Sequence, residues 1–137
     1  MTERLPHRLS IRVYYEDTDF SGVVYHASYL RFLERGRTET LRACGIDQAA
    51  LYGEGGKGAL SFAVRRMAIE WLKPARMDDS VTVETRIGTI KGASLLLHQR
   101  ILLNEEPLLT AEVLVALVAD GRAARLPPEL RMKLAPK

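Results

Sequence analysis

Acidic, histidine and tyrosine side chains are concentrated between residues 15 and 30. Asp17 and Asp19 come first, Gly22 follows, and His26 lies four residues further on. A carboxylate can act as a nucleophile or general base, and the N–H groups at a helix start can stabilise a developing oxyanion. An acid beside such donors can split an acyl bond. Taken alone, acids in such a stretch more often serve as turn or cap residues, so both interpretations stay open at this point.

This stretch lies where a strand pattern changes to a helix pattern. Residues 9–16 alternate between apolar and polar side chains, which predicts a strand, and the polar residues 17–22 predict a turn. From about Ala27 apolar residues recur near helical spacing, and Gly45 fits a left-handed helix end. The apolar residues of the two patterns are Leu9, Ile11, Val13 and Tyr15, then Leu30, Leu33, Leu41 and Cys44.

The remaining chain predicts one short helical turn and four more strands. The turn falls within residues 46–58, and the strands are expected at 60–72, 80–90, 93–103 and 108–118. In the irregular 60–72 pattern Phe62, Val64 and Ala68 share one face, which indicates a strand covered on both sides or one with a bulge. A terminal segment from Leu126 is expected to begin a short helix with proline in its first turn. Because the long helix must bury its apolar stripe against the sheet, we predict an α+β fold.

Length and composition predict a single domain in a reducing compartment. The chain has 137 residues, 47% of them hydrophobic, so we expect one domain over 1–137 with its core at about 9–120. The net charge of +3 comes without a long basic tract, which argues against nucleic-acid binding. No apolar run reaches the roughly 20 residues of a membrane helix, and no signal-peptide core is present. The single cysteine suits a reducing compartment, so we expect a cytoplasmic protein.

Other kinds of site lack their sequence signatures. The three histidines are too scattered for metal-ligand spacing, so we expect no metal site; His7 is expected to be exposed, and His98 structural or exposed. The glycine-rich segment 54–58 does not match GxxxxGK[ST], and no GxSxG segment occurs, which argues against a phosphate-binding loop and an α/β serine hydrolase. Cys44 is expected to be a buried structural thiol.

The run Asp17-Thr18-Asp19-x-x-Gly22-Val23-Val24-Tyr25-His26-x-x-Tyr29 resembles the signature of hotdog-fold acyl-CoA thioesterases of the 4-hydroxybenzoyl-CoA thioesterase type. The longer match, from Tyr14 through Glu39, is similar to the Tol–Pal-associated YbgC branch of that family. The resemblance covers roughly residues 9–120. It implies a five-stranded antiparallel sheet wrapped around one long central helix. It also implies a homodimer or homotetramer with active sites at the subunit interface.

The resemblance further implies an acyl-CoA thioesterase and a role for each motif residue. Asp19 would attack the thioester carbonyl or activate water, and the backbone N–H of His26 would stabilise the oxyanion. Water is the second substrate, so neither a metal nor a redox cofactor is implied, and coenzyme A is part of the substrate. The acyl pocket would be shaped by Val23, Val24 and Tyr25. The nucleotide end of coenzyme A would meet a hairpin containing Lys91, Gly92 and Ser94, and an ordinary charged hairpin stays open as the alternative for Lys91.

Phe20 and Ser21 depart from the family pattern, because related proteins often carry smaller residues there. This difference would reshape the entrance for the acyl group. Two alternatives to hydrolysis remain. A hotdog hydratase or dehydratase needs a histidine and an acid that shuttle protons, and His26 with Asp19 keeps this alternative open. A non-catalytic module that binds acyl-CoA or acyl carrier protein is the other.

Overall fold

The computed structural model describes residues 5–136, which form one antiparallel sheet, three α-helices and one 3-10 turn at Tyr15–Asp17. The helices are α1 (His26–Ala43), α2 (Gln48–Tyr52) and α3 (Pro128–Leu134). The strands are β1 (His7–Arg12), β2 (Ser61–Trp71), β3 (Ser80–Ile90), β4 (Ser94–Leu103), β5 (Glu106–Ala119) and β6 (Arg122–Ala123). Within this range no helix is both long and apolar enough to cross a membrane.

The sheet has the order β1-β3-β4-β5-β2, and β6 pairs with β5. The inner face of this curled sheet holds α1, whose Phe32 and Leu33 are almost fully buried together with Val83 and Val113. The predicted α+β architecture around one long helix is therefore confirmed. The sheet contains a sixth, two-residue strand beyond the expected five, because a tight turn at Asp120 and Gly121, both with positive φ, folds the chain back onto β5.

The first strand ends earlier than the alternating pattern predicted. β1 stops at Arg12, and the chain enters a 3-10 turn at Tyr15. The side chain of Tyr15 is exposed, although Val13 of the same predicted face is fully buried. The turn is closed by the Asp17 carboxylate, which accepts a hydrogen bond from the N–H of Tyr14 at 2.8 Å. A short polar side chain thus competes with continued strand pairing.

β2 contains the bulge that was one of the two explanations for its irregular pattern. The pairing with β5 shifts between Val64 and Arg66, so Val64 lies opposite Val115 and Met67 opposite Val113. Both partners belong to the buried face of β5. The predicted grouping of Ala68 with Phe62 and Val64 was wrong, because one inserted residue moves every later side chain to the other face. Ala68 pairs with the exposed Glu112 instead.

The long helix agrees with its predicted bounds, and Gly45 after its end has a φ of +86°. Its buried stripe differs from the prediction in one position, since Leu30 is exposed. The stripe also includes a polar residue, Arg37, whose Nη1 donates to Oε1 of Gln99 on β4 at 3.1 Å. Cys44 is buried, as expected. His7, which was expected to be exposed, is partly buried at the start of β1, and Met1–Arg4 lie outside the described residues.

Gly36 marks the closest approach of α1 to the sheet. An added Cβ would lie 2.5 Å from Cγ1 of Val83, which is fully buried. Gly36→Ala is expected to lower the free energy of unfolding by about 1–2 kcal/mol, because overpacking costs more than the roughly 1 kcal/mol gained in helix propensity. Urea unfolding measures the difference. In a Val83→Ala background, which removes the opposing methyl group, the same change should cost less; an equal cost would contradict a steric origin.

Candidate active site

The loop of residues 17–25, called here the Asp19 loop, is fixed by its own backbone. The N–H of Asp19 donates to the carbonyl of Val23 at 2.9 Å, and the N–H of Gly22 donates to the carbonyl of Asp19 at 3.1 Å. Gly22 has a φ of +85°, a conformation that other residues adopt only with strain. Thr18 and Val24 pair as an isolated bridge below this turn. Asp19 therefore sits on a defined backbone.

The carboxylate of Asp19 is exposed at the surface of this loop and is held by one neighbour. Oδ1 accepts the hydroxyl of Ser21 at 2.5 Å and the N–H of Ser21 at 2.8 Å. These two hydrogen bonds lower the pKa of Asp19 below its ordinary value, and the bond from the hydroxyl has the larger effect. The charge of His26 acts in the same direction. Asp19 is consequently held as a carboxylate, the form required of a nucleophile or general base.

Asp17 is positioned for a different purpose. Its Oδ2 accepts the N–H of Tyr14, and its backbone carbonyl accepts the N–H of Tyr25 at 2.9 Å. Both bonds hold the two ends of the Asp19 loop to the 3-10 turn. The carboxylate of Asp17 is thus used within the turn, whereas the carboxylate of Asp19 faces solvent beside the helix.

The start of α1 provides backbone donors beside Asp19. Tyr25 occupies the N-cap position, and its side chain makes no capping hydrogen bond. The first N–H groups of an α-helix have no partner inside the helix and carry a partial positive charge, which favours an oxygen that becomes negative. The His26 ring lies 4.7 Å from the ring of Trp71, centre to centre. The imidazole therefore packs on β2, while the His26 backbone N–H belongs to the open helix end.

The segment after β2 forms the support beneath this helix end. Tyr29 is buried, its ring lies 5.4 Å from that of Trp71, and its hydroxyl accepts the N–H of Ala75 at 2.8 Å. The N–H of Val24 donates to the carbonyl of Ala75 at 2.9 Å. Burial raises the pKa of Tyr29, while the Ala75 N–H opposes that change, so the phenol stays neutral. Trp71 was not predicted as a site residue; its place at the end of β2 was visible in the sequence, but its contact with His26 was not.

The three residues expected to shape the acyl pocket occupy different environments. Val24 is 3% exposed and belongs to the core, which differs from the expected pocket wall: its side chain supports the Asp19 loop from inside. Val23 is partly buried, and its backbone pairs with that of Arg76 as an isolated β-bridge. Tyr25 is exposed beside the helix start, and so is Phe20 at the tip of the loop. Of the three, Val23 and Tyr25 remain accessible to a substrate.

The hairpin residues Lys91, Gly92 and Ser94 do not meet Asp19 within one chain. Trp71 pairs with Leu109, which pairs with Ile101, so the Asp19 loop lies at that end of the sheet. Seven residues separate Ile101 from Ser94 along β4, a distance of roughly 23 Å at the usual strand rise. The hairpin is held at the other end, where Arg131 of α3 donates to the carbonyl of Lys91 at 2.9 Å. The Lys91 side chain is exposed there.

A cavity of about 210 Å³ lies between α1 and the inner face of β2, β4 and β5, next to the free edge of β2. Its wall is mixed: apolar side chains of α1 and the sheet form one part, and the charged Arg37 and Glu34 belong to the polar part. Burial lowers the pKa of Arg37, and the charge of Glu34 opposes this effect. The lining residues are Glu34, Arg37, Thr38, Leu41, Gln48, Phe62, Val64, Leu95, Leu97 and Val115. Neither Asp19 nor His26 of the same chain reaches this cavity.

Comparison with known proteins agrees with this overall fold. The model of the thioesterase-like superfamily matches residues 13–134. Acyl-CoA thioester hydrolase YbgC of Escherichia coli O6:H1 is 50% identical over 112 residues, 81% of each chain. Acyl-CoA thioesterase YbgC of Haemophilus influenzae is 46% identical, over 82% of this chain and 80% of its own. A probable thioesterase from Bartonella henselae superposes with a TM-score of 0.79 at 44% identity, over 90% of this chain and 100% of its own. The chain therefore belongs to the thioesterase-like superfamily.

Proposed function

We propose that this chain hydrolyses acyl-CoA thioesters to a free acid and coenzyme A. The observation that carries the proposal is the exposed Asp19 carboxylate, held by Ser21 in the loop that leads directly into the start of α1. The names of the relatives from E. coli and H. influenzae, at 46–50% identity over most of both chains, support the same reaction.

The proposed reaction uses two groups of the site. The thioester carbonyl oxygen binds at the His26 backbone N–H, where the helix start stabilises the negative charge that develops on it. Asp19 attacks the carbonyl carbon, or removes a proton from the water that attacks it. If Asp19 attacks, the C–S bond breaks and leaves an anhydride between the acyl group and Asp19, which water then hydrolyses to the free acid and the Asp19 carboxylate. If water attacks, the C–S bond breaks and the free acid forms directly. In both routes the sulfur of coenzyme A takes up a proton that comes from water. None of these steps requires a metal or redox cofactor; within residues 5–136 no group of three or more His, Cys, Asp and Glu side chains is arranged to hold a metal ion.

A second copy of the chain would complete the site. β2 is an edge strand; Val64 and Trp71 on it, and Leu72 directly after its end, are partly exposed apolar side chains. Such an edge tends to pair with another strand. Antiparallel pairing of two β2 strands around a two-fold axis would bring the hairpin end of one chain beside the Asp19 loop of the other. The reason for this assignment is that, within one chain, roughly 23 Å separates Ser94 of the hairpin from Ile101, which lies at the same end of the sheet as the Asp19 loop.

The cavity beside β2 is the proposed acyl-binding region. At about 210 Å³ it is smaller than the roughly 300 Å³ at which ligand pockets usually begin, which fits a pocket that a second chain completes. The apolar part of its wall, which comes from β2, β4 and β5, suits an acyl group. In the paired arrangement this cavity lies next to the Asp19 loop of the partner chain. The acyl group would therefore extend into the cavity from the thioester carbon that is held at that loop.

Lys91 is proposed to contact a phosphate of coenzyme A. Lys91→Ala is expected to raise KM for acyl-CoA roughly two- to fivefold, as an exposed charge pair contributes, with a smaller change in kcat. The salt dependence of KM should become weaker, because one screened attraction is lost. Arg42→Ala, which removes a positive charge from the exposed side of α1, is the control and should leave KM unchanged. Steady-state kinetics at two salt concentrations test both variants, and an unchanged KM for Lys91→Ala would return Lys91 to an ordinary hairpin role.

A panel of acyl-CoAs tests the reaction itself. Release of free thiol supports hydrolysis and identifies the acyl preference. Addition of water to an enoyl-CoA without thiol release would instead indicate a hydratase, and binding without either reaction would indicate a carrier module. Acyl carrier protein as a partner, a cytoplasmic location and an association with the Tol–Pal system remain predictions.

A further inference from the structure

Ser21 donates two hydrogen bonds to the Asp19 carboxylate, one from its hydroxyl and one from its backbone N–H. Its hydroxyl and its N–H donate to the same oxygen, Oδ1, at 2.5 and 2.8 Å. Two donors on one oxygen fix the plane of a carboxylate better than one donor does. They also direct the second oxygen, Oδ2, away from the Ser21 backbone. The carboxylate is consequently presented with one oxygen occupied.

The backbone on either side of Ser21 reinforces this geometry. The N–H of Asp19 is bonded to Val23, and the carbonyl of Asp19 is bonded to Gly22, so the residues that flank Ser21 cannot shift independently. A side chain at position 21 is therefore held at a fixed distance from position 19. Phe20, between them, points into solvent and is fully exposed, so the turn is not fixed by packing of that side chain.

We propose that the Ser21 hydroxyl is a positioning residue for catalysis, which holds Asp19 through Oδ1 so that Oδ2 faces the substrate or the attacking water. This inference rests on the proposed function, because it assumes that Asp19 is the reacting carboxylate. Ser21 itself neither contacts the substrate nor exchanges a proton with it.

The pH dependence of the rate reports on this contact. A hydrogen bond to the charged form of an acid lowers its pKa, and Ser21 is the largest cause of the lowered pKa of Asp19. Loss of the hydroxyl raises that pKa, so the acid limb of the kcat–pH profile should move to higher pH. Among the described residues, His26 at the start of α1 is the ionisable group whose charge acts on Asp19, and its ring packs on the uncharged Trp71 of β2. Neither changes when Ser21 is replaced, and the Asp17 carboxylate stays bonded to Tyr14.

Three variants separate positioning from loop stability. Ser21→Ala removes the hydroxyl and should lower the plateau kcat roughly tenfold, as loss of one hydrogen bond to a charged group does, with KM nearly unchanged. Ser21→Thr keeps a hydroxyl and should restore both kcat and the position of the acid limb. Thr18→Ala is the matched control, because the Thr18 hydroxyl donates to the carbonyl of Tyr15 at 2.7 Å in the same loop. It should lower Tm without moving the acid limb.

The results that would overturn the inference are distinct from a failure of the proposed function. An unmoved acid limb and normal kcat in Ser21→Ala overturn it, and so does an equal shift of the limb in Thr18→Ala. In an Asp19→Asn background, adding Ser21→Ala should cost nothing further; a full additional loss would also overturn it. Thiol release at a near-wild-type rate in Asp19→Asn alone would instead refute Asp19 as the reacting group. Because Ser21 is exposed, its variants should fold, and circular dichroism verifies this.

Discussion

Asp19→Asn is expected to lower kcat for acyl-CoA hydrolysis by about 10²-fold or more, the range that loss of a general base commonly costs. An amide of the same shape can still accept the hydrogen bonds from Ser21, but it can neither attack a thioester nor take a proton from water. KM for acyl-CoA should change little, because Asp19 lies on an exposed loop and not in the proposed binding region for coenzyme A. Kinetics with a chromogenic thiol reagent measure kcat and KM together.

Asp17→Asn is the internal control for this experiment. It removes a neighbouring negative charge and weakens the bond to the N–H of Tyr14, so the free energy of unfolding should fall by roughly 1 kcal/mol with little change in kcat. If Asp17→Asn abolished turnover in a folded protein while Asp19→Asn remained active, the two roles would be reversed. If both variants kept normal turnover, the reacting group would lie elsewhere.

A heterodimer that carries one inactivating substitution on each chain is expected to show roughly half of the wild-type kcat with a normal KM. The reason is that a two-fold dimer with shared sites would then contain one intact site. One chain carries Asp19→Asn and the other carries Lys91→Glu, whose reversed charge enlarges the effect on KM. Each site would combine the Asp19 loop of one chain with the hairpin of its partner. Co-expression with two affinity tags and sequential purification yields this heterodimer, whose kcat and KM are then measured.

The opposite arrangement provides the control. A chain that carries both changes, paired with a wild-type chain, should also show roughly half of the wild-type kcat, but with the raised KM of the Lys91 variant. If each site were formed within one chain, the two heterodimers would exchange their KM values. Sedimentation of the wild-type protein should show a dimer or tetramer, and a stable, active monomer at assay concentration would contradict the shared site.

The Asp19 loop shows which features of the site could be predicted from neighbouring residues in the sequence. Short polar residues and Gly22 predicted a turn, and the helical spacing after it predicted α1 almost to the residue, because turn chemistry and helix periodicity depend on near neighbours. The same local features distinguished the role of Asp17 from that of Asp19 only in part. Both are acids in a turn, and the contact of Asp17 with Tyr14 depends on the 3-10 turn that replaced the end of the predicted strand.

The burial of polar and apolar groups depended on partners distant in the chain. Helical spacing puts Arg37 on the buried stripe of α1, and its burial is compensated by Gln99, 62 residues later, which accepts its hydrogen bond. Val24, expected in a pocket wall, is in the core because Ala75 holds its backbone there. In β2 the bulge at Val64 changed which side chains face inward, and the period-two pattern could not place that inserted residue.

The type of each main element, the family signature and the residues that carry reactive groups could be predicted from the sequence, since these are properties of short segments. How these segments meet depends on contacts between parts that are distant in the chain. Strand order put β2 at an edge and brought Trp71 against His26. The same order placed Lys91, Gly92 and Ser94 at the opposite end of the sheet from Asp19. Pairing between distant strands fixes such distances, because register is set by side chains and hydrogen bonds across the sheet and not along one segment.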